Sequence, residues 1–377
     1  MIPFNKPPVP AASFRYLKQV VKSRKLSGDH EFTRKCHSWL RKESGASAAF
    51  LTPSGTHALE MAALLAGIKE GDEVIMPSFT FSSTANAFIL RGARIVFVDV
   101  RPDTMNIDER LIPAAITRKT KVIVPVHYAG VSCEMDAILE LAKAKGLCVI
   151  EDAAQAVKSS YHGRPLGGIG DFGAYSFHET KNYTSGEGGA ILIKDPSNIL
   201  RAEIVREKGT NRSRYFRGEI DKYSWEDIGS SYLPSEISAA FLFSQLEIAD
   251  KILNDRLRTW DYYYRKLKPL ADEGKIELPC VTKGCSHNGH LFFLKVKDLS
   301  VRTRILEFLK SRGVLALFHY VPLHSSKAGR KYGRFVGKDR YTTSDSERLF
   351  RLPLYYGMAK TDAARVCGLI TEFCKGL

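Results

Sequence analysis

Apolar residues at Phe14, Leu17, Val20 and Val21 keep helical spacing and predict a helix over residues 12–23, interrupted by Gly28 and Asp29. A second helix is expected over 31–43, with Phe32, Trp39 and Leu40 inward, and the apolar run 48–51 reads as a short buried strand. From there strand and helix patterns alternate. Strands are expected over 73–76, 94–98, 121–126 and 147–150, and a helix over 135–145 carries Met135, Ile138, Leu139 and Ala142 on one face before Gly146 stops it. This alternation predicts an open, mostly parallel sheet flanked by helices. A long helix follows over 235–253, with Ile237, Ala240, Phe241, Ser244, Ile248 and Ile252 on one face. Beyond it the composition shifts to a basic, tyrosine-rich helix over 256–267, strands over 290–296 and 314–318, and helices over 301–311 and 361–374. The chain is therefore read as an α/β protein with a large domain over 1–253 and a smaller α+β domain over 254–377.

The composition, 44% hydrophobic and 26% charged over 377 residues, is that of a globular chain with room for a sizeable core. No stretch approaches 18 consecutive apolar residues, so no membrane span is expected, and the residues 1–8 lack a signal-peptide pattern. The seven cysteines are scattered and odd in number, which fits free thiols in the cytoplasm. Cys280, Cys285, His287 and His290 form a short Cys/His-rich tract without zinc-ribbon spacing, and a loop leading into a strand is expected there rather than a metal site.

The net charge of +15 suits any polyanion. The basic residues are dispersed, however. In the densest region, 201–217, they alternate with Glu203, Glu207 and aromatic residues, and no helix-turn-helix or basic helix argues for nucleic acid.

Candidate chemistry gathers at three places. The stretch Ser176-Phe177-His178-Glu179-Thr180-Lys181-Asn182 sets Lys181 on a loop between the end of one buried strand and its continuation at Ala190, with Gly186, Gly188 and Gly189 marking tight backbone. Upstream, the strand 147–150 runs into Glu151-Asp152-Ala153-Ala154-Gln155. Further upstream, Ser54, Gly55 and Thr56 precede the helical run 58–65, where free backbone N–H groups can bind a phosphate. A lysine amine that can condense with an aldehyde, an aspartate that can meet a pyridinium nitrogen and a phosphate cradle are the requirements of pyridoxal phosphate chemistry.

These motifs, together with Pro77-Ser78-Phe79-Thr80-Phe81, Pro125-Val126-His127-Tyr128-Ala129-Gly130 and Tyr320-Val321-Pro322-Leu323-His324, give a chain that resembles the sugar-nucleotide aminotransferase family, a branch of the fold-type-I pyridoxal phosphate enzymes. The resemblance covers nearly the whole chain. It implies that Lys181 carries the cofactor pyridoxal 5'-phosphate and moves the proton, that Asp152 holds the pyridine nitrogen protonated, and that Gln155 reaches the phenolic oxygen. Ser54, Gly55, Thr56 and Ser176 then hold the phosphate. Phe79 and Phe81 are alternatives for a ring stacked on the cofactor, and position in the family favours Phe81.

The resemblance further implies a homodimer with shared active sites, the segment 212–225 being the candidate cross-subunit loop. Ser231 stands where many members carry an asparagine that reaches the neighbouring subunit's phosphate, and a serine hydroxyl can still donate. Tyr320 and His324 could contact the sugar or its pyrophosphate, or simply pack the loop around Pro322. The branch it most resembles implies a dTDP-linked 4-keto-6-deoxyhexose, aminated at C4 with glutamate to dTDP-4-amino-4,6-dideoxygalactose for enterobacterial common antigen. UDP- or GDP-linked ketosugars are the alternative substrates. Related dehydratases carry histidine at the lysine position, and Lys181 argues against that chemistry.

Overall fold

The computed structural model describes residues 1–376. Among these residues fourteen strands form three sheets. In chain order they are β1 (Ala48–Thr52), β2 (Glu73–Pro77), β3 (Arg94–Val98), β4 (Thr120–Ile123), β5 (Cys148–Asp152), β6 (Ser160–Tyr161), β7 (Arg164–Pro165), β8 (Phe172–Ser176), β9 (Gly189–Ile193), β10 (Cys285–Ser286), β11 (Phe293–Lys295), β12 (Leu317–Phe318), β13 (Gly333–Phe335) and β14 (Leu349–Arg351).

The largest sheet has eight strands in the order β1-β9-β8-β5-β4-β2-β3-β13. Only β9 runs against the rest: it pairs antiparallel with β1 and β8, whereas β8, β5, β4, β2, β3 and β13 pair in parallel. Its strands are short and apolar on both faces because each face is covered by helices. One core packs Leu51, Ile75, Val96, Ile123 and Val149 under the helices Ala11–Ser23, Glu31–Ser44 and Glu236–Leu246. The other packs Val74, Ile95, Val122 and Ile150 under the helix Gly55–Leu65. A mostly parallel sheet between helical layers is the architecture expected from the alternating pattern.

The outermost strand, β13, comes from the C-terminal part of the chain and adds to β3. Three residues carry no periodicity, so this return to the large sheet was invisible in the sequence. The strand expected over 121–126 stops at Ile123, since Pro125 has no N–H for a ladder. The strands expected over 290–296 and 314–318 shorten to β11 and β12, which pair with β14 in a separate three-stranded sheet.

The first helix forms where expected but buries a different face. Phe14 and Val21 are exposed, while Ser13, Tyr16 and Val20 point inward. Polar partners decide this: Ser13 Oγ lies 2.7 Å from Ser244 Oγ, and the Tyr16 hydroxyl donates to Glu247 Oε2 at 2.6 Å. The helix Glu31–Ser44 is capped from afar, because the buried Glu236 carboxylate accepts from the N–H groups of His30, Phe32 and Thr33 at 2.8–3.1 Å.

The single helix expected over 235–253 is two. The first ends at Leu246, Ile248 leaves helical space at φ −114°, and a 24-residue helix runs from Ala249 to Asp272. No proline or glycine marks the break, so apolar spacing alone reads straight through it. The boundary drawn at 253/254 falls inside this second helix, and we propose that the helix is the rigid link between the two parts. A third core, around Trp260, Tyr263, Phe292, Leu294, Ile305, Phe350 and Ile370, belongs to the C-terminal part. A small fourth cluster joins Phe79, Val100, Tyr128, Leu291, Phe293 and Leu349 across both parts. It forms one wall of the candidate site.

Candidate active site

Strand β5 ends in two adjacent carboxylates, and alternation along a strand sends them to opposite faces. Glu151 is fully buried and accepts from Gly167 N, Ile169 N and Gly170 N at 2.7–2.8 Å and from His127 Nε2 at 2.9 Å. His127 Nδ1 accepts from Cys133 N at 3.2 Å, so the ring hydrogen sits on Nε2 and points at Glu151. Burial by itself raises the Glu151 carboxyl, but His127 and the glycine N–H groups outweigh it and hold it below the ordinary carboxylate value. Glu151 is thus a brace beneath the site.

Asp152 faces the other way, 6% exposed, at the carboxyl end of a parallel strand, where ligands of such sheets collect. Its Oδ2 accepts from Thr84 Oγ1 at 2.7 Å and its Oδ1 from Ala154 N at 3.2 Å. Since Thr84 donates to the carboxylate, the 2.8 Å contact between Thr80 and Thr84 must run from Thr80 to Thr84. The chain Thr80–Thr84–Asp152 holds the carboxylate in one orientation.

Lys181 lies on the turn between β8 and β9, where its N–H closes on His178 O at 2.9 Å. The next residue anchors the turn: Asn182, 3% exposed, donates to Asn288 O at 3.0 Å and meets His290 Nδ1 at 2.9 Å. Burial lowers the Lys181 amine to about 8, with Asp152 opposing and Arg351 assisting the shift. A lysine near neutrality beside a buried carboxylate is suited to condense with an aldehyde and to move a proton.

The cradle forms at the start of the helix Gly55–Leu65. Ser54 caps it, its Oγ accepting from His57 N at 3.1 Å, which leaves the N–H groups of Gly55 and Thr56 without a helical acceptor. The backbone is tight because a Cβ at Gly55 would come within 2.9 Å of Ser176 Cβ, and one at Gly189 within 2.4 Å of the Ser54 carbonyl carbon. Ser176 thereby joins Ser54, Gly55 and Thr56 across two segments. The Thr56 hydroxyl lies 2.7 Å from Ser83 Oγ.

Gln155 is fixed between the two parts of the chain: Oε1 accepts from Ala129 N at 2.7 Å, and Nε2 donates to the Tyr320 hydroxyl at 2.9 Å. A phosphate cradle, a buried carboxylate, an amide and a lysine of lowered pKa fit pyridoxal phosphate. The match to the DegT/DnrJ/EryC1/StrS aminotransferase family spans residues 10–371.

The chain belongs to that family. It is a sugar aminotransferase that uses pyridoxal phosphate.

This aminotransferase is 34% identical to the spore coat polysaccharide biosynthesis protein SpsC of Bacillus subtilis, over 88% of the chain and 87% of the relative. An uncharacterized protein of Methanocaldococcus jannaschii is also 34% identical, over 90% and 89% of the two chains. Among solved structures, the aminotransferase TlmJ from Streptoalloteichus hindustanus superposes with a TM-score of 0.91 at 27% identity, covering 100% of this chain and 99% of that one. DesV of S. venezuelae does so with a TM-score of 0.88 at 29% identity, covering 98% and 99%.

The remaining candidates fall in different settings. Phe79 is 1% exposed and packs edge-on against Tyr128 and Tyr320, whereas Phe81 is 58% exposed at the start of the helix Ser82–Ile89. Of the two aromatic alternatives only Phe81 is exposed, with its ring centre 6.2 Å from that of Tyr320. Tyr320 stacks on His319 at 3.7 Å between ring centres and reaches the site through Gln155. His324 has both ring nitrogens engaged, Nδ1 with Ser78 Oγ at 2.7 Å and Nε2 with Asp339 at 3.2 Å, which is how a loop-packing residue is bound. Ser231 is exposed, and its backbone bridges to Glu207.

The Cys/His tract does not converge. Cys285 Sγ accepts from Ser132 N, His287 Nδ1 accepts from Gly289 N, and His290 serves Asn182. Among the described residues no three His, Cys, Asp or Glu side chains gather as a metal site.

Sequence reasoning did not single out Thr84, His319 or Arg351, and named Tyr128 only within a motif. Thr84 lies 68 positions from Asp152 on a helix that no motif marks. Arg351 carried a signal that could have been read: a charge set between the apolar pairs Leu349-Phe350 and Leu352-Pro353.

Proposed function

We propose that this aminotransferase transfers the amino group of glutamate to C4 of a dTDP-linked 4-keto-6-deoxyhexose, giving dTDP-4-amino-4,6-dideoxygalactose for enterobacterial common antigen, as a cytoplasmic homodimer with shared active sites. The observation that carries the catalytic part is Lys181, its amine lowered to about 8, on a turn beside Asp152. Bound pyridoxal phosphate supplies an electron sink for the carbanion formed at the substrate carbon. Asp152, fixed by Thr84, keeps the pyridine nitrogen protonated. Gln155, locked between Ala129 and Tyr320, presents an amide hydrogen to the phenolic oxygen. The phosphate is held by Ser54 and Ser176 with the N–H groups of Gly55 and Thr56. Lys181 Nζ would take the proton from the substrate carbon and hold it on its amine, which requires an amine that is neutral for part of the time at physiological pH. Phe81, exposed at the start of the helix Ser82–Ile89, would offer its ring to the cofactor.

Support for the substrate comes from the motifs shared with the branch that makes this aminosugar and from the net charge of +15, which favours a diphosphate-bearing ligand. The exposed aromatic and basic segment around the helix Arg212–Phe216, with Trp225 81% exposed, supports the cross-subunit contact, and Ser231 lies close beyond it. The test is a panel of dTDP-, UDP- and GDP-linked 4-ketosugars incubated with enzyme and glutamate, following 2-oxoglutarate and assigning C4 of the product by NMR. Preference for the dTDP sugar with an axial amine is expected. Preference for a UDP or GDP sugar, or an equatorial amine, refutes the substrate, while absence of 2-oxoglutarate with every sugar refutes the donor.

A further inference from the structure

Arg351, the last residue of β14, is half-buried at the side of the cluster that holds Lys181, Tyr128 and Tyr320. Arg101 and Arg348 each lie against at least two carboxylates, whereas among the described residues no carboxylate pairs with Arg351. Arg302 is likewise half-buried without a carboxylate partner among the described residues, held by Ser346 O and the Phe318 ring, so what sets Arg351 apart is its place beside Lys181 and Tyr320. Nη2 donates to Phe318 O at 2.8 Å, and Nε is buried without a hydrogen-bond partner among the described residues. The guanidinium lies 4.7 Å from the centre of the Phe4 ring. Phe4 is itself fixed on both sides, since Ile2 exchanges backbone bonds with Gly313 and Leu315 and Asn5 Nδ2 donates to Glu179 O at 2.8 Å, two residues before Lys181.

A guanidinium that is held in place by an aromatic face and a carbonyl, but given no counter-charge, is arranged to receive one. We propose that Arg351, seated on Phe4, is the anion-receiving group of the active site, binding either the carboxylate of the amino donor or the diphosphate of the nucleotide sugar. Both ligands present oxygens in the planar or forked geometry that a guanidinium recognises in a bidentate manner. This inference rests on the transamination reading for the identity of its ligands, but not for the existence of the anion site.

The test uses Arg351→Gln, Arg351→Lys and Phe4→Ala in the cofactor-loaded enzyme, with three measurements. These are the glutamate half-reaction followed by the absorbance of the bound cofactor, the dissociation constants of 2-oxoglutarate and of dTDP by calorimetry, and the melting temperature. Arg351→Gln is expected to weaken one of the two anions at least tenfold, with kcat of the half-reaction changing less than KM. Arg351→Lys should recover part of the loss, and Phe4→Ala should give a smaller loss of the same ligand. Weakened 2-oxoglutarate with unchanged dTDP assigns the donor carboxylate, and the reverse assigns the diphosphate. Unchanged binding of both anions overturns the proposal. So does an equal loss of both with a lowered melting temperature that lysine does not restore, because that pattern is packing. If wild-type enzyme releases no 2-oxoglutarate from glutamate, the proposed function fails, and binding of 2-oxoglutarate and dTDP still decides the role of Arg351.

Discussion

Burial of the Lys181 amine, on a turn whose neighbours Glu179 and Thr180 are exposed, lowers it to about 8, and this can be tested without the natural substrate. The drop from 10.5 corresponds to about 3 kcal/mol against the charged form. At pH 7.5 roughly a quarter of the molecules carry a neutral Lys181, against about one in a thousand for an unperturbed lysine, so the amine available to condense with an aldehyde is about two hundredfold more abundant. Cofactor-free protein is mixed with pyridoxal phosphate at pH 6 to 11, reduced with borohydride and mapped by mass spectrometry. The rate of adduct formation at Lys181 should rise with pH and level off above about 8. Arg351→Gln should move the midpoint up, since that cation assists the shift, and Asp152→Asn should move it down; both displacements should be smaller than the effect of burial, the largest cause. Stability follows the same sign: the unfolded chain binds the proton more tightly, so the cofactor-free protein gains stability as pH rises from about 8 towards 10.5. A midpoint near 10, or an adduct on another lysine, would refute the reasoning.

Other outcomes are expected from the same geometry. Gly189→Ala should displace Ser54, weakening pyridoxal phosphate tenfold or more in a titration and costing about 1–3 kcal/mol of stability in urea. Glu151→Gln, which turns an amide towards N–H groups that need an acceptor, should cost on the order of 3 kcal/mol in the same unfolding measurement. Thr84→Val removes the donor to Asp152 Oδ2 and should destabilise by about 1–3 kcal/mol, with a lower rate of the glutamate half-reaction from a less firmly held carboxylate. Lys181→Ala mixed with a disabled 212–225 segment should recover activity in mixed dimers; no recovery would mean that each site is built from one chain.

What the sequence determined by itself were the features that depend on neighbours in the chain. Short apolar runs located β2, β3 and β5, and the 3.6-residue period the helix Met135–Lys145, within a residue or two, and Gly146 ended that helix in the left-handed conformation at φ 61°. The lysine turn, the strand-end aspartate and the serine-capped helix start are each contiguous motifs, so the chemistry of the site was legible before any contact was known. Tertiary structure decided what depends on partners far apart in the chain. The hydroxyls of Ser13 and Tyr16 turned the first helix because Ser244 and Glu247 accept them, and β13 returned to the large sheet because the unpaired edge of β3 could take three more residues. The same separation hid the support of the site: Thr84 beneath Asp152, Tyr320 against Gln155, and Arg351 on Phe4 are joined across 68, 165 and 347 positions. A single hydrogen bond or ring contact leaves no periodic trace along the chain, and only packing brings such partners together.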